Sequence, residues 1–143
     1  MTAYPRLRMN YDLRNGESDQ SQRMLNAIEP GSVVPIHRHR YSSETVVCLR
    51  GRVVEEYYDD LGRMCEEAIE ITPNGPVVAL NIPIGQWHTI RLKESGSVFF
   101  VFVLDIQGQA PVLGYIALSG HCGGMGQSAH HRGVALPSAK ALG

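Results

Sequence analysis

Apolar and polar positions alternate with period two near the start of the chain. Leu7, Met9, Tyr11 and Leu13 are interleaved with Arg6, Arg8, Asn10, Asp12 and Arg14. This predicts an amphipathic strand within Tyr4–Asn15 that lies against another element. The pattern then changes. Between Asp19 and Ile28, residues Met24, Leu25 and Ile28 fall at helical spacing, with Ser18 or Asp19 as a cap and Pro30 and Gly31 as a stop. One short N-terminal helix is expected there.

From Ser32 to Asp105 the chain reads as short strands divided by turn residues. Strands are expected at Val33–His39, Glu44–Leu49, Val53–Tyr58, Met64–Ile71, Val77–Ile82, Trp87–Leu92 and Ser97–Leu104. Gly51, Asp59–Gly62, Pro73-Asn74-Gly75 and Pro83–Gly85 are among the turns between them. Val46–Leu49 and Phe99–Leu104 are apolar enough to predict burial on both faces. Seven strands so spaced point to an all-β sandwich or barrel, not to alternating βαβ units. The region after Ile106 differs. It holds no acidic residue, two bases (Arg132 and Lys140) and 8 of the 15 glycines. A mobile tail is expected from Gly120 onward, while the GQAPVLG segment before it can lie against the domain. The resulting division is 1–30, 31–105 and 106–143.

Composition narrows the function classes. The chain has 143 residues, enough for one domain. Its 13 basic and 14 acidic residues leave a net charge of −1, with no field to hold nucleic acid or an anionic membrane. No apolar run approaches the roughly 20 residues of a membrane span, and MTAYPRLRMN lacks the apolar core of a signal peptide. Cys48, Cys65 and Cys122 cannot all pair within one chain, so a reduced, cytoplasmic protein is expected.

The chemistry concentrates in GSVVPIHRHRYSSETVVCLRG. Strand residues two apart share a face, so His37 and His39 project side by side, and a following antiparallel strand can bring Glu44 beside them. Downstream, IPIGQWHTIRL places His88 on a strand that a closed barrel can bring opposite the pair. Three imidazoles and a carboxylate meeting in a small barrel carry a severe desolvation cost, which a divalent cation satisfies from one centre.

These stretches resemble the cupin family. The first matches every position of the family's first motif, from Gly31 through His37, His39 and Glu44 to Gly51. The second keeps the Pro83, Gly85 and His88 core of the second motif, with Leu92 and Val77 where asparagine and glycine are usual. More narrowly, PRLRMNYDL, QRMLNAIEPG, PIHRHR, GRVVEEYYDDLG and PIGQWHT resemble the WbuC family of small cupin metalloproteins, over about residues 5 to 104. The resemblance implies a double-stranded β-helix (jelly-roll) barrel with His37, His39, Glu44 and His88 as metal ligands. It also implies a sugar or nucleotide-sugar substrate from surface-polysaccharide metabolism, and a homodimer.

The ligand types suit one divalent transition metal (Fe, Mn, Ni, Co or Zn), acting as a Lewis acid on a small polar metabolite. Isomerisation or epimerisation is the first reaction class, and an iron-dependent dioxygenase reaction a further one. A non-catalytic sugar- or metal-binding or sensing module and a structural dimerisation domain are the alternatives. Glu44, as a detachable ligand, and Tyr41, in the neighbouring turn, are the candidate catalytic groups. Trp87 alternates away from the ligand face. Arg38, Arg40 and Arg91 do the same and are expected to pair with an acidic run that includes Glu55, Glu56, Asp59 and Asp60.

Overall fold

Eleven strands and no helix occur among the described residues, which are 7–104, 112–113 and 133–135 of this computed structural model. In chain order they are β1 (Arg8–Asp12), β2 (Ser21–Ile28), β3 (His37–Arg38), β4 (Glu44–Arg50) and β5 (Val53–Tyr58). There follow β6 (Met64–Ile71), β7 (Val77–Ile82), β8 (Trp87–Leu92), β9 (Ser97–Leu104), β10 (Val112–Leu113) and β11 (Gly133–Ala135). They form two antiparallel sheets. A six-stranded sheet runs β1-β2-β9-β4-β7-β11, and a five-stranded sheet runs β10-β3-β8-β5-β6. Consecutive strands commonly sit in different sheets, as in a jelly roll.

The helix expected between Asp19 and Ile28 is a strand. All eight residues of β2 pair with β9, from Ser21 opposite Leu104 to Ile28 opposite Ser97. The apolar positions Met24, Leu25 and Ile28 fit either period, and tertiary pairing decides between them. Asp19 does cap, but it caps a turn. Its carboxylate accepts from the backbone amides of Asn15 (3.1 Å) and Ser21 (3.0 Å), fixing the entry into β2.

Six of the seven strands expected between Ser32 and Asp105 lie within one residue of their expected ends, whereas Val33–His39 shrinks to His37–Arg38. The core sits between the sheets. Val46 and Cys48 of β4, Leu80 and Ile82 of β7, and Phe99 of β9 meet Val53 and Tyr57 of β5, Ile71 of β6 and Ile90 of β8. Gly51 joins β4 to β5 with φ of 81°, a left-handed conformation that glycine adopts without penalty. A Cβ there would stand 2.8 Å from the Cα of Ser97, so the sequence needs glycine at this corner for space as well as for backbone angle.

The outer face of the six-stranded sheet departs from expectation. Leu49, Phe102 and Leu104 are exposed, so Val46–Leu49 and Phe99–Leu104 are buried on one face only. Strand β1 sits at the sheet's edge, and its apolar face remains open, with Met9 74% and Tyr11 66% exposed. Within the glycine-rich region, β10 pairs with β3, and β11 pairs with β7 inside the stretch expected to be mobile. The rest of that tail expectation, including Cys122, falls outside the described residues.

Candidate metal centre

The site is built where β3, β4 and β8 converge. Glu44 opens β4 on its inner face, in line with Ile82 of β7 and Val103 of β9. His37 of β3 is the register partner of His88 of β8, and His39 follows β3 immediately. The Gly85 amide donates to the His39 carbonyl at 2.8 Å, tying the turn before His88 to the chain after β3. Pro83, Gly85 and His88 are thereby placed by one turn, with Gly85 at φ of 78°.

The donor atoms of His37, His39, Glu44 and His88 all lie within 4.8 Å of one another. Donors bound at about 2.1 Å to one cation lie at most about 4.2 Å apart, so the set needs to tighten by side-chain adjustment to close on it. The rings of His37 and His88 are 4.3 Å apart, and His39 lies 5.3 and 5.8 Å from them. His39 Nε2 and His88 Nε2 approach the same carboxylate oxygen of Glu44, at 2.8 and 3.0 Å. His37 Nδ1–H donates to the Pro35 carbonyl and His88 Nδ1–H to the Gln86 carbonyl, both at 2.8 Å. These outer bonds hold each Nδ1 away from the centre and leave Nε2 to face it, an arrangement typical of metal-binding histidines.

The electrostatics follow from burial and proximity. Burial opposes ionisation of Glu44, but hydrogen bonds from His39 and His88 outweigh it and hold the carboxyl well below the usual range. Burial would likewise depress His88, yet the Glu44 carboxylate pushes it up to about 9. His37 is lowered, first by burial and then by the neighbouring His88.

A cavity of about 200 Å³ opens in front of this group. Its walls include Ile28, Val34, Val46, Ile90, Phe99 and Val101, and its polar lining includes Arg8, Asn10, Gln22 and Asn26. Glu55 also lines it. The sequence expectation pairs it with the arginines; instead the inner face of β5 buries it away from them, and burial pushes its carboxyl up to about 8. The other acidic residues behave more simply. Arg91 pairs with Glu56, and Arg38 pairs with Asp60 at 3.2 Å while lying over the Trp87 ring. Tyr41 is exposed and is not among the cavity-lining residues. The tail's His121, Cys122, His130 and His131, whose glycine-rich surroundings offer no scaffold for a second metal site, fall outside the described residues. Sequence reasoning missed Glu55: Val53, Glu55 and Tyr57 share one face of β5, but alternation alone does not tell that face from the one carrying Glu56.

A domain of unknown function (DUF6016) matches residues 2–69. No curated protein matches the sequence significantly. Among solved structures, KdgF from Halomonas sp. superposes with a TM-score of 0.55 at 13% identity, covering 75% of this chain and 87% of that one. Peruvianin-I, a cysteine peptidase from Thevetia peruviana latex, gives a TM-score of 0.58 at 15% identity, covering 81% and 72%. A mutant of Bacillus subtilis oxalate decarboxylase OxdC gives 0.51 at 19% identity. It covers 66% of this chain, which spans only 24% of the decarboxylase. At such identities the likeness establishes the fold, and the fold is that of the cupins. No helix of the described residues is long and apolar enough to cross a membrane.

Proposed function

We propose that this chain is a metal-binding cupin in which His37, His39, Glu44 and His88 hold one divalent transition metal and present it to a small polar metabolite. The convergence of those four donors within 4.8 Å of one another, Glu44 and His88 buried and His37 and His39 half-buried, carries the reading. The donor set fits: nitrogen and oxygen ligands without thiolate suit Fe(II), Mn(II), Co(II), Ni(II) or Zn(II). Bound there, the metal supplies Lewis acidity toward a hydroxyl or carbonyl oxygen. The chain's own residues do the rest. The Pro35 and Gln86 carbonyls orient His37 and His88, and the apolar walls limit water around the site.

The cavity is smaller than the roughly 300–1,000 Å³ of drug-sized pockets. It suits a single sugar-sized molecule, with any nucleotide portion lying outside. In this reading, as the WbuC-like motifs imply, the chain serves surface-polysaccharide metabolism in the cytoplasm. The 31–105 unit carries the four donors in this reading, and β1 and β2 of the 1–30 unit extend the sheet that holds Glu44. The test is metal analysis of protein prepared without added metal. About one equivalent of a transition metal is expected, and protein free of bound metal that also fails to take up added cobalt or zinc would overturn the assignment.

We further propose a homodimer formed through the outer face of the six-stranded sheet. Met9, Tyr11, Leu49, Phe102 and Leu104 are exposed on it, and among the described residues β1 ends the sheet beside them. A second copy can cover the same patch about a two-fold axis.

A further inference from the structure

Two adjacent glutamates of β5 have opposite surroundings. Glu56 faces outward, where Arg91 pairs with it and the Tyr58 hydroxyl donates to it at 2.9 Å. Glu55 faces inward, opposite Ile90 and next on its face to Tyr57, the register partner of His88. It is only 1% exposed, lines the same cavity as the four-donor cluster and lies outside that cluster. Among the described residues no hydrogen bond or ion pair satisfies its carboxyl. The fold itself does not require an acid there, since a leucine or methionine of similar size would fill the position without the cost of a buried polar group.

We propose that Glu55 is a substrate-contacting residue, its carboxyl hydrogen-bonding a hydroxyl-bearing small molecule that also engages the His37, His39, Glu44 and His88 group. The inference rests on the metal-binding reading above and adds the ligand's chemical class. A hydroxyl both donates and accepts, and the cavity offers partners for both. Glu55, almost wholly buried, lines it from β5, while Asn10, Gln22 and Asn26, each with a side-chain amide, line the same space. Asn10 Nδ2 already donates to Asn26 Oδ1 at 2.8 Å, which fixes the orientation of that polar wall. A carboxyl accepts from a hydroxyl whether or not it holds a proton, and the amides of that wall can donate or accept in turn.

The test uses cobalt(II)-loaded protein and two probes, glycolate and acetate, which differ by one hydroxyl. Binding is read from the visible spectrum of the cobalt, with cobalt content measured by elemental analysis. Wild-type protein is expected to bind glycolate more tightly than acetate. In Glu55→Leu, and in Glu55→Met as a second apolar variant, glycolate affinity should fall about tenfold, the size of one lost hydrogen bond to a polar partner. Acetate affinity and one bound cobalt should be retained, and Glu55→Gln should recover most of the glycolate preference. Unchanged glycolate affinity in the apolar variants would overturn the proposal, as would equal affinities in wild type or loss of cobalt from all three variants. Wild-type protein that takes up no cobalt removes the metal reading itself, and this inference with it.

Discussion

His37 and His88 are register partners on β3 and β8, and their ring centroids are 4.3 Å apart. The pairing joins two segments 51 positions apart in the chain. Close approach of two imidazoles raises the cost of protonating either, so the pair is poised for a metal rather than for two protons. A His37→Ala, His39→Ala double variant should lose the metal while remaining folded. Elemental analysis alongside circular dichroism checks this, and full metal in the variant would refute the ligand set.

Metal uptake should release protons. Glu44 pushes His88 up to about 9, so below that pH the ring carries a proton that must leave before Nε2 can coordinate. About one proton per metal is expected near pH 7.5, with apparent affinity rising toward pH 9 and then levelling. Calorimetry in buffers of different ionisation enthalpy measures the count. A release of zero would contradict the Glu44–His88 coupling.

Acid should weaken the metal-free protein through Glu44. Its carboxyl is held below the ordinary value, so its contribution is present above that value and is lost as pH falls through the folded-state range. The His88 contribution has the opposite sign, full below about 6.5 and lost as pH rises through about 9. Glu44→Gln should therefore flatten the acid limb of a denaturation–pH curve; an unchanged limb would count against the pair.

Glu55 makes a separate stability prediction. Its folded-state carboxyl is raised to about 8, so the folded protein binds the proton more tightly than the unfolded chain does. Stability then declines between about pH 4.5 and 8 on this group's account, and Glu55→Gln removes the decline. The variant should exceed wild type by more than about 1 kcal/mol at pH 9 and match it near pH 4. Urea denaturation at the two pH values decides.

Gly51→Ala should be the costliest small change outside the site. It combines a φ of 81° with a Cβ 2.8 Å from the Cα of Ser97. A loss of about 2 kcal/mol or more is expected from strain and displacement together. Gly85→Ala, with the same backbone sign but no neighbour within 4 Å, should cost less.

Much of the sheet structure was legible because strand spacing and turn residues act locally. β5 to β9 end at the expected residues, and Gly51 marks its corner. His37, His39 and Glu44 were visible together for the same reason, being close in sequence, whereas His88 entered through the Pro83–Gly85 turn. What failed was non-local. The sequence of β2 suits both helix and strand, and only pairing with β9 resolves it. Glu55 reads as one member of a charged run because strand parity shows that Glu55 and Glu56 diverge without showing which of them meets the cavity. The second face of β4 and β9 misled in the same way, since apolar side chains there remain exposed.

Glu44 belongs to the six-stranded sheet, whereas His37 and His88 belong to the five-stranded one. A cation gripped by all three would therefore rivet the two halves of the sandwich together at the cavity's edge. Chelation would then do more than silence chemistry: it would free the sheets to part like the covers of a book, and the unfolding rate should quicken before any secondary structure changes.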